Sequence, residues 1–175
     1  YTLKKDNNNL INFCPSRGGI ITNWIFNDQK ILYFDQKRFL DKSRSIRGGI
    51  PILFPICGNL ENKSLFGDNF LDLMQHGFAR DQEWNYGFNQ SKNSLCLTLS
   101  DNEITRKYYP YFFELKIEIT FSIATLIFKI EIFNKSNNKM PVNFGLHPYF
   151  NISDFHNIKF IDYAQCCVNQ KNNNI

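Results

Sequence analysis

No uninterrupted apolar run of membrane length occurs in these 175 residues, and no leader-like apolar stretch follows Tyr1. The expectation is therefore a soluble, cytoplasmic protein with no membrane partner. The sequence opens on Tyr1 rather than methionine, so a few leading residues are expected to precede it. Cys-x-x-Cys pairs are also missing. The five cysteines, Cys14, Cys57, Cys96, Cys166 and Cys167, are odd in number, and the adjacent last two would join only through a strained vicinal bond. Such spacing excludes a readable disulfide framework or zinc site, and it predicts buried free thiols with no metal and no cofactor. Charge of either sign is scarce in excess: 20 basic against 16 acidic residues leaves +4. With no nucleic-acid motif present, that mild balance argues against a nucleic-acid partner. Long amphipathic helical patterns and internal repeats are absent as well.

Aromatic residues, by contrast, are abundant at 16%, with 18 phenylalanines, and hydrophobic residues make up 43%. Ring-bearing and β-branched residues favour sheets with thick cores. A chain of this length buries roughly 70% of its unfolded surface, so it needs no crosslink. The clearest local signal is strict alternation of apolar and polar residues over 113–121, the period of a half-buried strand. Residues 127–133 repeat it, with Lys129 and Glu131 between Phe128, Ile130 and Ile132, so the two runs predict an antiparallel hairpin. Residues 20–26 and 31–34, flanking Asn27-Asp28-Gln29-Lys30, predict another, and residues 95–99 a further strand. Residues 141–144 predict an extended piece. Many strands parted by turns, without intervening helices, point to an antiparallel β-sandwich. Gly48, Gly49, Pro51, Pro55 and Gly58 break regularity between 47 and 77, where a long irregular segment is commonly functional.

Two of three histidines lie in glycine-hinged motifs, Gln75-His76-Gly77-Phe78-Ala79-Arg80 and Gly145-Leu146-His147-Pro148-Tyr149-Phe150. Imidazole titrates near neutrality, so two facing one cleft can move protons on and off an oxygen. The third, His156, sits in an unremarkable stretch and reads as a surface-loop residue. Phe150 reads as core, and Tyr149 is left open between core and cleft wall. Lys37, Arg38, Lys42, Arg44 and Arg47 concentrate positive charge, either as a solvated edge or as attraction for an anionic substrate. Arg47 and Arg80 can fork two hydrogen bonds to vicinal hydroxyls, a carboxylate or a phosphate; alternatively each ties loops to an aspartate such as Asp81 or Asp72.

The run 51–58 (Pro-Ile-Leu-Phe-Pro-Ile-Cys-Gly) and the two histidine motifs stand in the order seen in aldose 1-epimerases. Over roughly residues 10–160 the chain resembles the galactose-mutarotase-like branch that includes hexose-6-phosphate mutarotases. The resemblance implies a large antiparallel β-sandwich with a sugar cleft on one sheet face. It implies that His147 is the general acid on the ring oxygen and that His76 hydrogen-bonds the same region. It implies Arg47 and Arg80 as anion or hydroxyl contacts, with Gln75 and Asn59 as further substrate-binding candidates. Asn59 departs from the pattern, since relatives often carry arginine there. The family's glutamate base and a sugar-binding aspartate lie in a C-terminal part that this sequence does not reach; Glu83, Glu103, Asp154 and Asp162 are acids outside the matching place. The expectation is thus a single, C-terminally truncated domain, 1–175, either an incomplete product of a longer gene or a fragment that pairs with another copy to cover strand edges; alone it is expected to keep part of a sugar cleft and little epimerase turnover. Three functional classes stay open: an epimerase of aldoses or hexose phosphates, a non-catalytic carbohydrate-binding sandwich, and a purely structural domain.

Overall fold

The computed structural model describes residues 1–60, 64–66, 69–89, 91–122, 124–157 and 159, with the main chain alone for 64–66, 69, 70 and 157. The strands are β1 (Thr2–Lys4), β2 (Leu10–Cys14), β3 (Ile20–Phe26), β4 (Gln29–Lys30), β5 (Ile52–Leu53), β6 (Ser64–Phe66), β7 (Asn69–Phe70), β8 (Asn85–Asn89), β9 (Ser94–Ser100), β10 (Phe113–Ser122), β11 (Thr125–Asn134) and β12 (Gly145–Leu146). Two short helices, α1 (Gln36–Leu40) and α2 (Glu103–Tyr108), interrupt them. Two four-stranded sheets, ordered β1-β2-β3-β4 and β11-β10-β9-β8, carry the structure, while β5 pairs with β12 and β6 with β7. Every named pairing is antiparallel, so this is the β-sandwich class that the alternating patterns predict.

Alternation decides what faces inward. Phe113, Leu115, Ile117, Ile119 and Phe121 of β10 are buried, as are Leu95, Leu97 and Leu99 of β9. They share one apolar cluster with Ile11 and Phe13 of β2 and Ile21 of β3, so the two sheets close on a common core. The β10–β11 register runs without a break from Phe113 opposite Asn134 to Ser122 opposite Thr125, the hairpin read from the sequence. Phe128, Ile130 and Ile132 pack half-buried against the core. No described helix is long and apolar enough to cross a membrane.

The structure corrects several expectations. The first hairpin turns more tightly than a four-residue loop. Asn27 and Asp28 take positive φ, 48° and 62°, a two-residue turn, so Gln29 and Lys30 already return as β4. Residues 31–34 make only single bridges, Leu32 to Phe150 and Phe34 to Gly48. Residues 141–144 form no strand; pairing starts at Gly145. Both helices went unread because local capping makes them: Asp35 accepts from the Arg38 N–H, and Asn102 and Thr105 form a reciprocal box. The three described cysteines are not buried. Cys14 and Cys96 occupy outward positions of β2 and β9, between inward neighbours, and are half-buried; Cys57 is exposed. Cys166 and Cys167 lie outside the described residues, as does Asp162. Phe150 is 53% exposed rather than core, because its strand-like bridge to Leu32 engages the main chain only.

Candidate functional site

The irregular segment 49–58 is a rail to which both histidine motifs are fastened. On one side, β12 pairs with β5, Gly145 opposite Leu53 and Leu146 opposite Ile52. The His147 N–H then donates to Pro51 O (3.0 Å) and the Tyr149 N–H to Gly49 O (2.9 Å). Tyr109, buried in the core, donates from its hydroxyl to Pro141 O at 2.6 Å and so anchors the approach to this motif. Burial raises its phenol above the usual range, so it stays a donor. On the other side, Phe54 bridges Gly77 in parallel, and the Phe78 and Ala79 N–H groups both reach Phe54 O. A Cβ on Gly77 would lie 2.2 Å from Phe54 O, and φ is +69° there. Glycine is therefore required for the His76 turn to seat on the rail. Trp84, buried, donates to Ala79 O and fixes the 3₁₀ turn Ala79–Asp81 that carries Arg80.

His76 is clamped twice to Gly58: its N–H donates to Gly58 O (2.8 Å), and Gly58 N–H donates to His76 Nδ1 (2.9 Å). Its backbone is left-handed, at φ 68°. Because Nδ1 accepts, the neutral ring carries its proton on Nε2 and offers it outward as a donor. Burial, then the charges of Arg80, His147 and Arg47, hold its pKa below the ordinary histidine value, which favours that neutral form. The His147 ring lies 5.8 Å away, edge to face at 79°. It stacks on Tyr149, with centroids 4.8 Å apart, and makes no hydrogen bond through its ring among the described residues. Tyr149 is thus a wall of the cleft.

The two rings open on a cleft of about 260 Å³, which Ser45, Arg47, Gln75, Arg80 and Tyr149 also line. Arg47 is exposed, and its side chain makes one hydrogen bond among the described residues, to Ile46 O at 3.3 Å. The Arg80 side chain is only 13% exposed; Nη2 donates to Gln75 O (2.8 Å), and Nε stands 3.6 Å from Asp81. Arg80 thus borders the cleft and leans on Asp81. Asn59, exposed beside Gly58, is not among the cleft-lining residues. Among the described residues no carboxylate lines the cleft. Glu83, Glu103 and Asp154 are exposed elsewhere. His156 is a surface residue as expected, bonded to Asp154 at 2.8 Å, and the His156 N–H and ring hold that carboxyl below its usual value. No grouping of histidine, cysteine or acids among the described residues is arranged to hold a metal.

One residue beside the site escaped sequence reasoning. Arg17 is 7% exposed and lies behind the Arg80 turn. The signal was present: Arg17-Gly18-Gly19-Ile20 repeats Arg47-Gly48-Gly49-Ile50. Gly18, at φ 79°, packs so closely that a Cβ would sit 2.2 Å from Arg80 O.

Residues 1–174 match the family model described as Aldose 1-epimerase. The chain is 32% identical over 124 residues to the plasmid protein LacX of Lactococcus lactis, covering 67% of this chain and 41% of that protein. It is 29% identical over 135 residues to a Salmonella typhimurium protein provisionally named glucose-6-phosphate 1-epimerase, covering 75% and 42%. Among solved structures, Slr1438 of Synechocystis sp. PCC 6803 superposes with a TM-score of 0.80 at 42% identity, over 86% of this chain and 53% of that one. A galactose mutarotase related enzyme from Lactobacillus acidophilus gives 0.73 at 27%, over 91% and 51%. The chain therefore spans about half the length of the proteins it matches, or somewhat less.

Proposed function

Because the chain belongs to the aldose 1-epimerase family, we propose that its cleft opens and recloses the ring of an aldose or hexose phosphate, interconverting α and β anomers. His147 gives a proton to the ring oxygen as the bond from that oxygen to C1 breaks, while a base removes the anomeric hydroxyl proton. Rotation about C1–C2 presents the other carbonyl face, and the proton transfers reverse on closure. His76 donates from Nε2 to the same oxygen region and fixes the sugar. Arg47, Arg80 and Gln75 take its hydroxyls or phosphate, and Asn59 serves a ligand that extends past the cleft. No cofactor enters this chemistry.

The observation that carries the reading is the edge-to-face imidazole pair, 5.8 Å apart on one polar cleft, with His76 committed to the donor tautomer. The names of the Salmonella and Lactobacillus relatives support a hexose or its phosphate. A second reading, carbohydrate binding without turnover, is favoured by the lack of a carboxylate on the cleft among the described residues.

Exchange NMR on the anomeric protons of glucose, galactose and glucose 6-phosphate separates the two. Epimerisation predicts exchange above the spontaneous rate, reduced about 100-fold or more in His147→Ala, as expected on loss of a general acid. Exchange unaltered in that variant, or absent for every sugar, overturns the catalytic reading. Saturable binding without exchange supports the second.

A further inference from the structure

The two imidazoles of the cleft are held by different means. His76 takes a hydrogen bond on Nδ1 from the Gly58 N–H, so the main chain fixes its ring. The His147 side chain is exposed and makes no hydrogen bond through its ring among the described residues. Its ring instead meets two others: His76 edge to face, and Tyr149 face to face at 21° with centroids 4.8 Å apart. The torsion that turns an imidazole about its Cβ–Cγ bond is broad, so an exposed histidine with no such neighbour swings its ring freely.

The sequence His147-Pro148-Tyr149 builds that stack. A residue before proline is biased to extended backbone, so His147 continues the course of β12, and side chains two apart on an extended chain point to the same side. Tyr149 is tied through both of its main-chain groups: its N–H donates to Gly49 O (2.9 Å), and its carbonyl accepts from the Tyr33 N–H (2.9 Å). Its side chain is half-buried, whereas that of His147 is exposed. The firmer ring of the pair is therefore the tyrosine, and the imidazole leans on it.

We propose that Tyr149 is a positioning residue, whose ring face sets the plane of the His147 imidazole and presents its edge to the ligand. A face contact engages neither nitrogen, so both stay available for the proton to leave and return as a sugar ring opens and recloses. His76, committed through Nδ1, lacks that freedom. The face of Tyr149 that meets His147 is also closed to a sugar, which separates this role from stacking on the ligand. That the stack serves acid catalysis rests on the epimerase reading; that it orders the imidazole does not.

The test pairs two readouts on the full chain: carbon-13 relaxation at the histidine Cε1–H groups, and anomer exchange of glucose, galactose and glucose 6-phosphate. Tyr149→Leu and Tyr149→Asn each remove the face, and whichever folds serves. The His147 ring should lose order on the picosecond-to-nanosecond scale while His76 keeps its own. Tyr149→Phe, which retains the face, should restore that order. In exchange, loss of the face should lower kcat about tenfold or more with KM changed by less than about threefold, as a misplaced acid requires, and Tyr149→Phe should recover kcat. Because the residue acts through His147, adding Tyr149→Leu to His147→Ala should cost less than about a further twofold. A His147 ring equally ordered without the tyrosine overturns the proposal. So does a rise in KM that persists in the His147→Ala background, the mark of a residue that touches the sugar. Absence of exchange for every sugar in the wild type counts against the epimerase reading alone, and the order of the His147 ring then decides the positioning by itself.

Discussion

His76 holds a left-handed backbone at φ 68° while its Nδ1 accepts from Gly58, so the residue is committed to one tautomer before any ligand arrives. This sets a pH signature. Its folded pKa lies below the ordinary value of 6.5, so the unfolded chain takes up that proton first as pH falls. The stabilisation is then complete above about 6.5 and is lost as pH drops through the lower folded value. Asparagine tolerates positive φ and offers an oxygen in place of Nδ1, but it does not titrate. Urea unfolding at pH 7.5 and 5.5 should therefore show a larger loss of stability in the wild type than in His76→Asn. Equal losses would remove His76 from the acid response. Tyr109 gives a second residue-scale expectation: Tyr109→Phe strips the donor from the buried Pro141 carbonyl and should cost about 1–3 kcal/mol in chemical denaturation. A variant as stable as wild type would show that this bond does not anchor the approach to His147.

Among the elements, the rail 49–58 matters more than any long strand, because it holds both histidines through main-chain bonds. Gly77 and Gly58 test this by contrast. Both have positive φ, but a Cβ at Gly77 strikes Phe54 O, whereas a Cβ at Gly58 meets nothing within 4 Å. Gly77→Ala should lose about 3 kcal/mol or more, from strain plus the displaced carbonyl, and Gly58→Ala about 1–2 kcal/mol from strain alone. Thermal or urea unfolding measures both; equal losses would mean that seating on Phe54 contributes little. The strands of this layer were legible wherever one face is buried. Residues 113–121 alternate strictly, and β10 follows them to within a residue. The rail itself was legible only as glycine and proline punctuation. Its pairings join residues some 20 to 90 positions apart, and no local period encodes them. The two histidines were found as motifs, yet their convergence needed those distant bridges. Arg17 went unread because a charged residue is presumed exposed, and only its Arg-Gly-Gly-Ile echo hinted otherwise. Phe150 failed in the opposite sense: aromatic composition favoured the core, while its main-chain bridge leaves the ring outside.

Across the whole molecule, one edge stands out. Among the described residues β11 is paired on one side only, to β10, and it exposes Ile127 and Phe133 at 55% and 42%. A long, partly apolar strand edge is a template for pairing with another copy. Sedimentation velocity should show a mass that rises with concentration and falls back in Ile127→Lys; a constant monomer mass would exclude self-pairing through this edge. At this scale, too, the sandwich gathers the second histidine motif, the rail and the His76 turn onto one cleft, on which the proposed chemistry depends. Its most direct test is a titration of the protein's histidine Cε1–H signals with glucose, galactose and glucose 6-phosphate. The His76 and His147 resonances should move together along one binding curve while His156, 96% exposed and not among the residues that line the cleft, stays still. If no sugar moves both, or if one shifts without the other at saturation, the two imidazoles do not share a ligand.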